Sequence, residues 1–298
     1  MAQTISINGK AVQLRSPYNP KQKGRLIGRE TEIGIIIASW MARRGQIPKA
    51  PLLIGLPGLG KSRLVYECAR LCGKELYTEQ GHEDLTSEDL MGTIRPSDDP
   101  KKKFDYILSN LATAMIRGGI FFLDGIGKMR ERALAPLESV LDERRYMDSS
   151  LLGARIHASP GFRFIAATNP EDLFGKELPD YIRSRIRPVI QIGYPPREEI
   201  NEITRESYPL LQDNAKLIDC FWKTWRKRNG SMLPTPRDAK EIFGYAQNVA
   251  DKELQDSRDG YNVDLGEGFP PQITERHLEI AINIYFPDEA REKCEKAY

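Results

Sequence analysis

Apolar positions in this chain recur in two rhythms. Continuous apolar runs over 51–55, 118–124, 158–170 and 189–195, with 75–80 as a fifth segment, predict strands. Helical patterning over 26–41, 63–71 and 133–146 falls between them. After 195 the pattern turns helical and stays so, over 197–208, 214–228, 236–250 and 273–284. Strands alternating with helices, followed by helices alone, predict a three-layer α/β domain with a five-stranded parallel sheet over 25–195 and a small all-α lid domain over 196–298. Residues 1–24, polar and carrying Pro17 and Pro20, are expected to form a short arm.

The run at 51–55 breaks into glycines and ends in a lysine and a hydroxyl, reading GLPGLGKS over 55–62. This satisfies the phosphate-loop pattern G-x-x-x-x-G-K-[ST], with the strand before and the helix after that the pattern requires. Gly55, Gly58 and Gly60 have no Cβ, so the loop is expected to take positive φ angles and turn backbone N–H groups onto phosphate oxygens. The following helix adds the partial positive charge of its N-terminus. Lys61 is placed to reach the β- and γ-phosphates, and the Ser62 hydroxyl to ligate Mg²⁺. Pro57, Leu59 and Arg63 complete the expected nucleotide site, and the implied cofactors are ATP and Mg²⁺.

Two further strands end in polar side chains. The 118–124 strand closes on Asp124, whose carboxylate can hold Mg²⁺ directly or through water beside the loop. The 158–170 strand ends in Asn169, where a polar tip can face the γ-phosphate and hold a water. An isolated Asn-Pro is only a turn signal, but its spacing after Asp124 favours the sensing role.

Composition narrows the field. Lys+Arg 44 against Asp+Glu 42 leaves a net charge of +2, so no global field draws the chain to nucleic acid or an anionic membrane. Cys68, Cys72, Cys220 and Cys294 have no metal-binding pattern with histidine and are expected to be reduced thiols of a cytoplasmic protein. No apolar run has the length of a membrane span, and the first residues lack a signal peptide's charged and apolar regions. His82 and Lys101 to Lys103 are read as solvated surface. Phe221, Trp222 and Trp225 beside Lys223, Arg226, Lys227 and Arg228 invite a nucleic-acid reading, but a buried aromatic stripe with a wet basic face fits the helical spacing better.

The stretches GLPGLGKS, FFLD, LLGARIHASPGFRFIAATNP and LPDYIRSRIRPVIQIGYP together resemble the AAA+ ATPases, and their order is similar to the MoxR-like and dynein/midasin-related branch, over roughly residues 25–250. The resemblance implies a P-loop NTPase fold with a helical lid. It offers Ile27 and Gly28 for the adenine pocket, with a simple helix-start turn as the equal alternative, and implies Arg185 as an arginine finger reaching a neighbour's nucleotide with Arg183 close by, and Arg237 as a second sensing arginine. For each arginine a surface salt bridge is the alternative. It also offers Leu90, Met91 and Gly92 as a channel-lining loop, although packing of the apolar pair under the inserted segment is the favoured reading. The family's glutamate after the metal-side aspartate is here Gly125. Loss of that base typically costs about a hundred- to ten-thousand-fold in rate. Glu79 is the candidate substitute, and a glutamate placed at 125 is expected to raise turnover.

Three functions are therefore carried forward. The first is a ring-forming ATPase, expected to be hexameric, that remodels a protein substrate or adaptor. The second is an ATP-gated oligomeric scaffold with little hydrolysis. The third is a nucleic-acid-dependent ATPase, supported only by local basic patches.

Overall fold

The computed structural model describes residues 3–20, 24–42, 46–100, 102–208, 211, 214–256 and 273–285. It divides into two compact units, residues 1–193 and 194–298.

In the first unit, chain order runs β1 (Thr4–Ile7), β2 (Lys10–Gln13), α1 (Glu30–Trp40), β3 (Leu52–Ile54), α2 (Lys61–Leu71), β4 (Leu76–Gln80), β5 (Gly92–Pro96), β6 (Phe104–Leu108), α3 (Asn110–Arg117), β7 (Ile120–Asp124), α4 (Ala135–Val140), β8 (Tyr146–Ser149), β9 (Ala154–His157), β10 (Arg163–Thr168), α5 (Asp180–Arg183) and β11 (Val189–Gln191). Five of these strands form one sheet in the order β11-β3-β10-β7-β4, and every neighbouring pair is parallel. A parallel sheet is covered on both faces, which explains why β7 and β10 are apolar at successive positions. The core shows both coverings. Tyr77, Phe121, Leu123, Phe164 and Ala166 face a cluster with Leu111, Ala112 and Met115 of α3 and Leu137 and Val140 of α4. The alternate residues Phe122, Ile165 and Ala167 are equally buried on the other face, where α2 packs against β7 and β10.

The arm is partly built into the fold. β1 and β2 form a hairpin, and β2 runs parallel to β6, giving a second sheet in the order β1-β2-β6-β5. The helix expected over 133–146 stops at Val140, and Tyr146 instead begins the β8-β9 hairpin. Leu90 is 1% exposed, its carbonyl accepts a bond from Ser109 Oγ at 2.6 Å, and Met91 is half-buried against the core. The pair is therefore packed, as favoured over the channel-lining alternative.

The second unit holds α6 (Arg197–Ser207), α7 (Ala215–Asn229), α8 (Pro236–Asp256) and α9 (Glu275–Tyr285). Its core gathers Phe221, Trp222, Trp225 and Phe243. Both indoles find partners, Trp222 Nε1 donating to Asn201 Oδ1 at 2.7 Å and Trp225 Nε1 to the Met232 carbonyl at 2.6 Å. The aromatic stripe of α7 is thus core, while Lys223, Arg226 and Lys227 are exposed. Cys68 and Cys220 are buried and Cys72 half-buried, all as free thiols, and Cys294 lies outside the described residues. Among the described residues no helix is long and apolar enough to cross a membrane.

Candidate nucleotide site

The sheet brings the carboxyl ends of β3, β10 and β7 side by side, and in an open parallel sheet that edge is where ligands bind. The loop after β3 ends at Gly60, whose φ of 88° sets it as the residue from which α2 springs. Gly58 also takes a positive φ, of 85°. Gly55 does not. It is required for closeness instead, since a Cβ there would lie 2.6 Å from the Ile192 carbonyl oxygen on the tail of β11.

Lys61 is the first residue of α2 and only 8% exposed. A buried ammonium is costly unless its hydrogens are taken up. Here Nζ donates to the carbonyls of Gly55 at 2.6 Å and Leu56 at 3.0 Å, and to Asn169 Oδ1 at 2.8 Å. Asn169 stands just past β10 and caps the turn that follows, where its own N–H is bonded by Asp172. One residue on, Ser62 Oγ donates to Asp124 Oδ2 at 2.8 Å. Lys61, Ser62, Asp124 and Asn169, far apart in sequence, therefore make one polar cluster at the tips of three adjacent strands. A hydroxyl and a carboxylate in contact at the edge of a phosphate loop form the oxygen-rich pair that suits Mg²⁺.

The other candidates make contacts of their own. Arg63 Nη2 donates to the Arg25 carbonyl at 2.6 Å. Ile27 is buried and Gly28, with a φ of 69°, leads into α1, which packs on α2. Arg183 pairs with Glu177 and Asp180 on the surface. Arg185 donates to the Tyr181 carbonyl at 2.7 Å and lies 3.4 Å from both Glu138 and Asp142. It lines an open cleft of about 610 Å³ with Lys49, Arg144 and Arg187. Arg237 belongs to the second unit and is exposed in the first turn of α8, whose start is fixed by Thr235 and Asp238 bonding each other's backbone N–H.

Glu79 is not part of the cluster. In the β4-β7 register it lies beside Leu123, so its side chain projects to the α3 face, where Asn110 Nδ2 donates to Glu79 Oε2 at 2.9 Å. Asp124 projects to the opposite face, toward α2. Alternation of side chains across a strand is the physical reason the substitute-base assignment fails. Glu79→Gln is expected to leave phosphate release within about twofold of wild type, against the hundredfold or more that loss of a general base costs.

Sequence reasoning does not single out its neighbour Gln80. It is paired with Asp124, and its Nε2 donates to the Asp124 carbonyl at 3.1 Å. The signal was present in the alternation: if 79 faces α3, then 80 faces the phosphate loop.

Comparison with known proteins agrees with this geometry. Residues 51–186 match the model of the AAA domain, dynein-related subfamily. Protein NorQ of Paracoccus denitrificans is 31% identical over 159 residues, which is 52% of this chain and 57% of that protein. A Staphylococcus saprophyticus protein, SSP1341, is 27% identical over 170 residues, 56% of this chain and 64% of its own length. The chain thus matches less than two thirds of the length of these relatives. Among solved structures, the Thermotoga maritima RuvB Holliday junction branch migration motor superposes with a TM-score of 0.55 at 18% identity, covering 89% of this chain and 72% of that one. NtrX of Brucella abortus, in complex with ADP, gives a TM-score of 0.58 at 16% identity, covering 92% and 62%. At these identities the likeness is one of fold. Together with the phosphate loop and the strand order β11-β3-β10-β7-β4, the family match makes residues 51–186 an AAA domain of the dynein-related subfamily, with the MoxR-like branch of AAA+ proteins as the group the chain is similar to.

Proposed function

We propose that the protein binds MgATP at the Lys61, Ser62, Asp124 and Asn169 cluster, assembles into a homo-oligomeric ring of six, and spends slow ATP hydrolysis on remodelling a protein partner. One observation carries the reading: Lys61 bonded to Asn169 beside Ser62 bonded to Asp124, at the carboxyl edge of the central strands. On ATP binding, Lys61 exchanges part of its bonding to the Gly55 and Leu56 carbonyls for the β- and γ-phosphates. Ser62 and Asp124 hold Mg²⁺, which neutralises charge developing on the phosphates. Asn169 orients a water or the γ-phosphate, Ile27 and Gly28 border the adenine, and Arg237 serves as the second sensing arginine.

Arg185 is assigned to the neighbour's nucleotide. Its two carboxylate contacts sit at 3.4 Å, long for charge-assisted bonds, so a neighbour's phosphate is a stronger competitor for the guanidinium. Arg185→Ala is expected to leave ATP affinity of the single chain nearly unchanged while weakening ATP-dependent assembly. Light scattering with and without ATP checks this, and equal assembly of variant and wild type would remove the finger role.

Gly125 favours a second reading, an ATP-gated scaffold in which binding rather than turnover is the working event. Nucleic acid keeps only the exposed lysines and arginines of α7, because the aromatic side chains that could stack on bases are buried.

A further inference from the structure

The absence of a glutamate at 125 has a structural counterpart on the next strand. Gly125 follows β7 with a φ of 89°. A Cβ built there would lie 3.0 Å from the Gly81 carbonyl oxygen and 3.2 Å from Gln80 Nε2. The amide of Gln80 thus stands tight against the point from which a side chain at 125 would start. Its position is fixed from two sides. Gly81 N–H donates to the Asp124 carbonyl at 2.7 Å, and Gln80 Nε2 donates to the same oxygen at 3.1 Å. Gly81 makes this possible, since a Cβ on it would be 2.5 Å from the Gly125 carbonyl oxygen. The two strand tips are held together without side chains between them, and Gln80 reaches across.

We infer that Gln80 is the water-positioning residue of this site, standing in for the missing glutamate. The inference rests on the MgATP reading above. A carbonyl only accepts, so the bond to Asp124 O assigns the nitrogen of the Gln80 carboxamide and leaves Oε1 as the acceptor that can take a hydrogen bond from water. Register puts Gln80 on the same face as Asp124, and hence on the side of Ser62 and the phosphate loop. Glutamine-oriented water is established chemistry in P-loop phosphoryl transfer. An amide cannot take the proton, so the step is one of positioning. The water oxygen forms a bond to the γ-phosphorus while the bond from that phosphorus to the β–γ bridging oxygen breaks. ADP leaves with the bridging oxygen, and the water's proton passes to a γ-phosphate oxygen, giving inorganic phosphate. Such a site runs slowly and has no titrating base of its own.

The test measures ATP affinity by calorimetry and phosphate release from pH 4 to 9 for wild type, Gln80→Ala and Gln80→Glu, using the full chain with MgATP. Gln80→Ala is expected to lower kcat at least about tenfold with ATP affinity within about twofold. Gln80→Glu is expected to raise kcat at least about tenfold and to acquire a limb that falls in acid, at or above the usual ~4.3 of a glutamate because the phosphates disfavour its charge. The wild-type profile is expected to lack that limb. A merely structural Gln80 would not move the pH profile. Unchanged kcat in Gln80→Ala, or a Gln80→Glu profile without gain and without the acid limb, overturns the inference while leaving nucleotide binding in place. A wild type that binds ATP but never releases phosphate also overturns it alone. Failure of the wild type to bind ATP overturns the MgATP reading itself.

Discussion

Lys61→Ala is expected to weaken ATP binding at least about a hundredfold. A hydrogen bond to a charged group contributes about 1.5–3 kcal/mol, and contacts to two phosphates together supply about 3 kcal/mol, with each 1.4 kcal/mol a factor of ten. The same side chain ties Gly55, Leu56 and Asn169 together, so its loss also releases the tip of β10 from the loop. Those partners lie at the edge of the sheet rather than in its core, and the truncated variant keeps a cooperative thermal transition. Isothermal titration checks the prediction, and unchanged affinity would remove Lys61 from the phosphate site.

The second large effect concerns Gly125→Glu. The simple expectation, that a glutamate there restores the family's base and raises turnover, does not survive the geometry. A non-glycine residue at φ 89° is strained, and its Cβ would crowd the Gly81 carbonyl oxygen at 3.0 Å. Strain of this kind costs about 1–3 kcal/mol. A loss of about 2 kcal/mol lowers Tm by about 4–8 °C for a unit of this size. The new side chain also starts 3.2 Å from the Gln80 amide nitrogen, so it crowds the group that orients water. Gly125→Glu is therefore expected to melt lower than wild type and to turn over no faster. Differential scanning calorimetry beside a phosphate-release assay checks both, and faster turnover at unchanged Tm would restore the simple expectation.

Much of this site was legible because its chemistry is local in sequence. The phosphate loop carries its strand, glycines, lysine and hydroxyl within one stretch, and Asp124 and Asn169 each end an apolar run. The alternation of strand and helix, with near-continuous apolar β7 and β10, gave the central parallel sheet. What escaped was short and half-exposed. β1, β2, β8 and β9 have four residues each, and β5 is almost wholly exposed, so none offers a long periodic signal. The end of α4 was missed because Leu141 extends the apolar pattern past the helix. Glu79 is a candidate by its place at the end of a neighbouring parallel strand, whereas the face of the strand decides which of two neighbours reaches the phosphate loop. The role of Gly55 depends on Ile192, a contact between residues 137 positions apart that no local pattern encodes.

Phosphate release by the wild-type chain at saturating MgATP, measured beside its ATP affinity, tests the central claim most directly. The account predicts saturable ATP binding together with a kcat below about 0.1 s⁻¹, a hundredfold under the ~10 s⁻¹ typical of enzymes, as loss of a general base requires. Absence of ATP binding, or binding with turnover at about 10 s⁻¹ or faster, would contradict it.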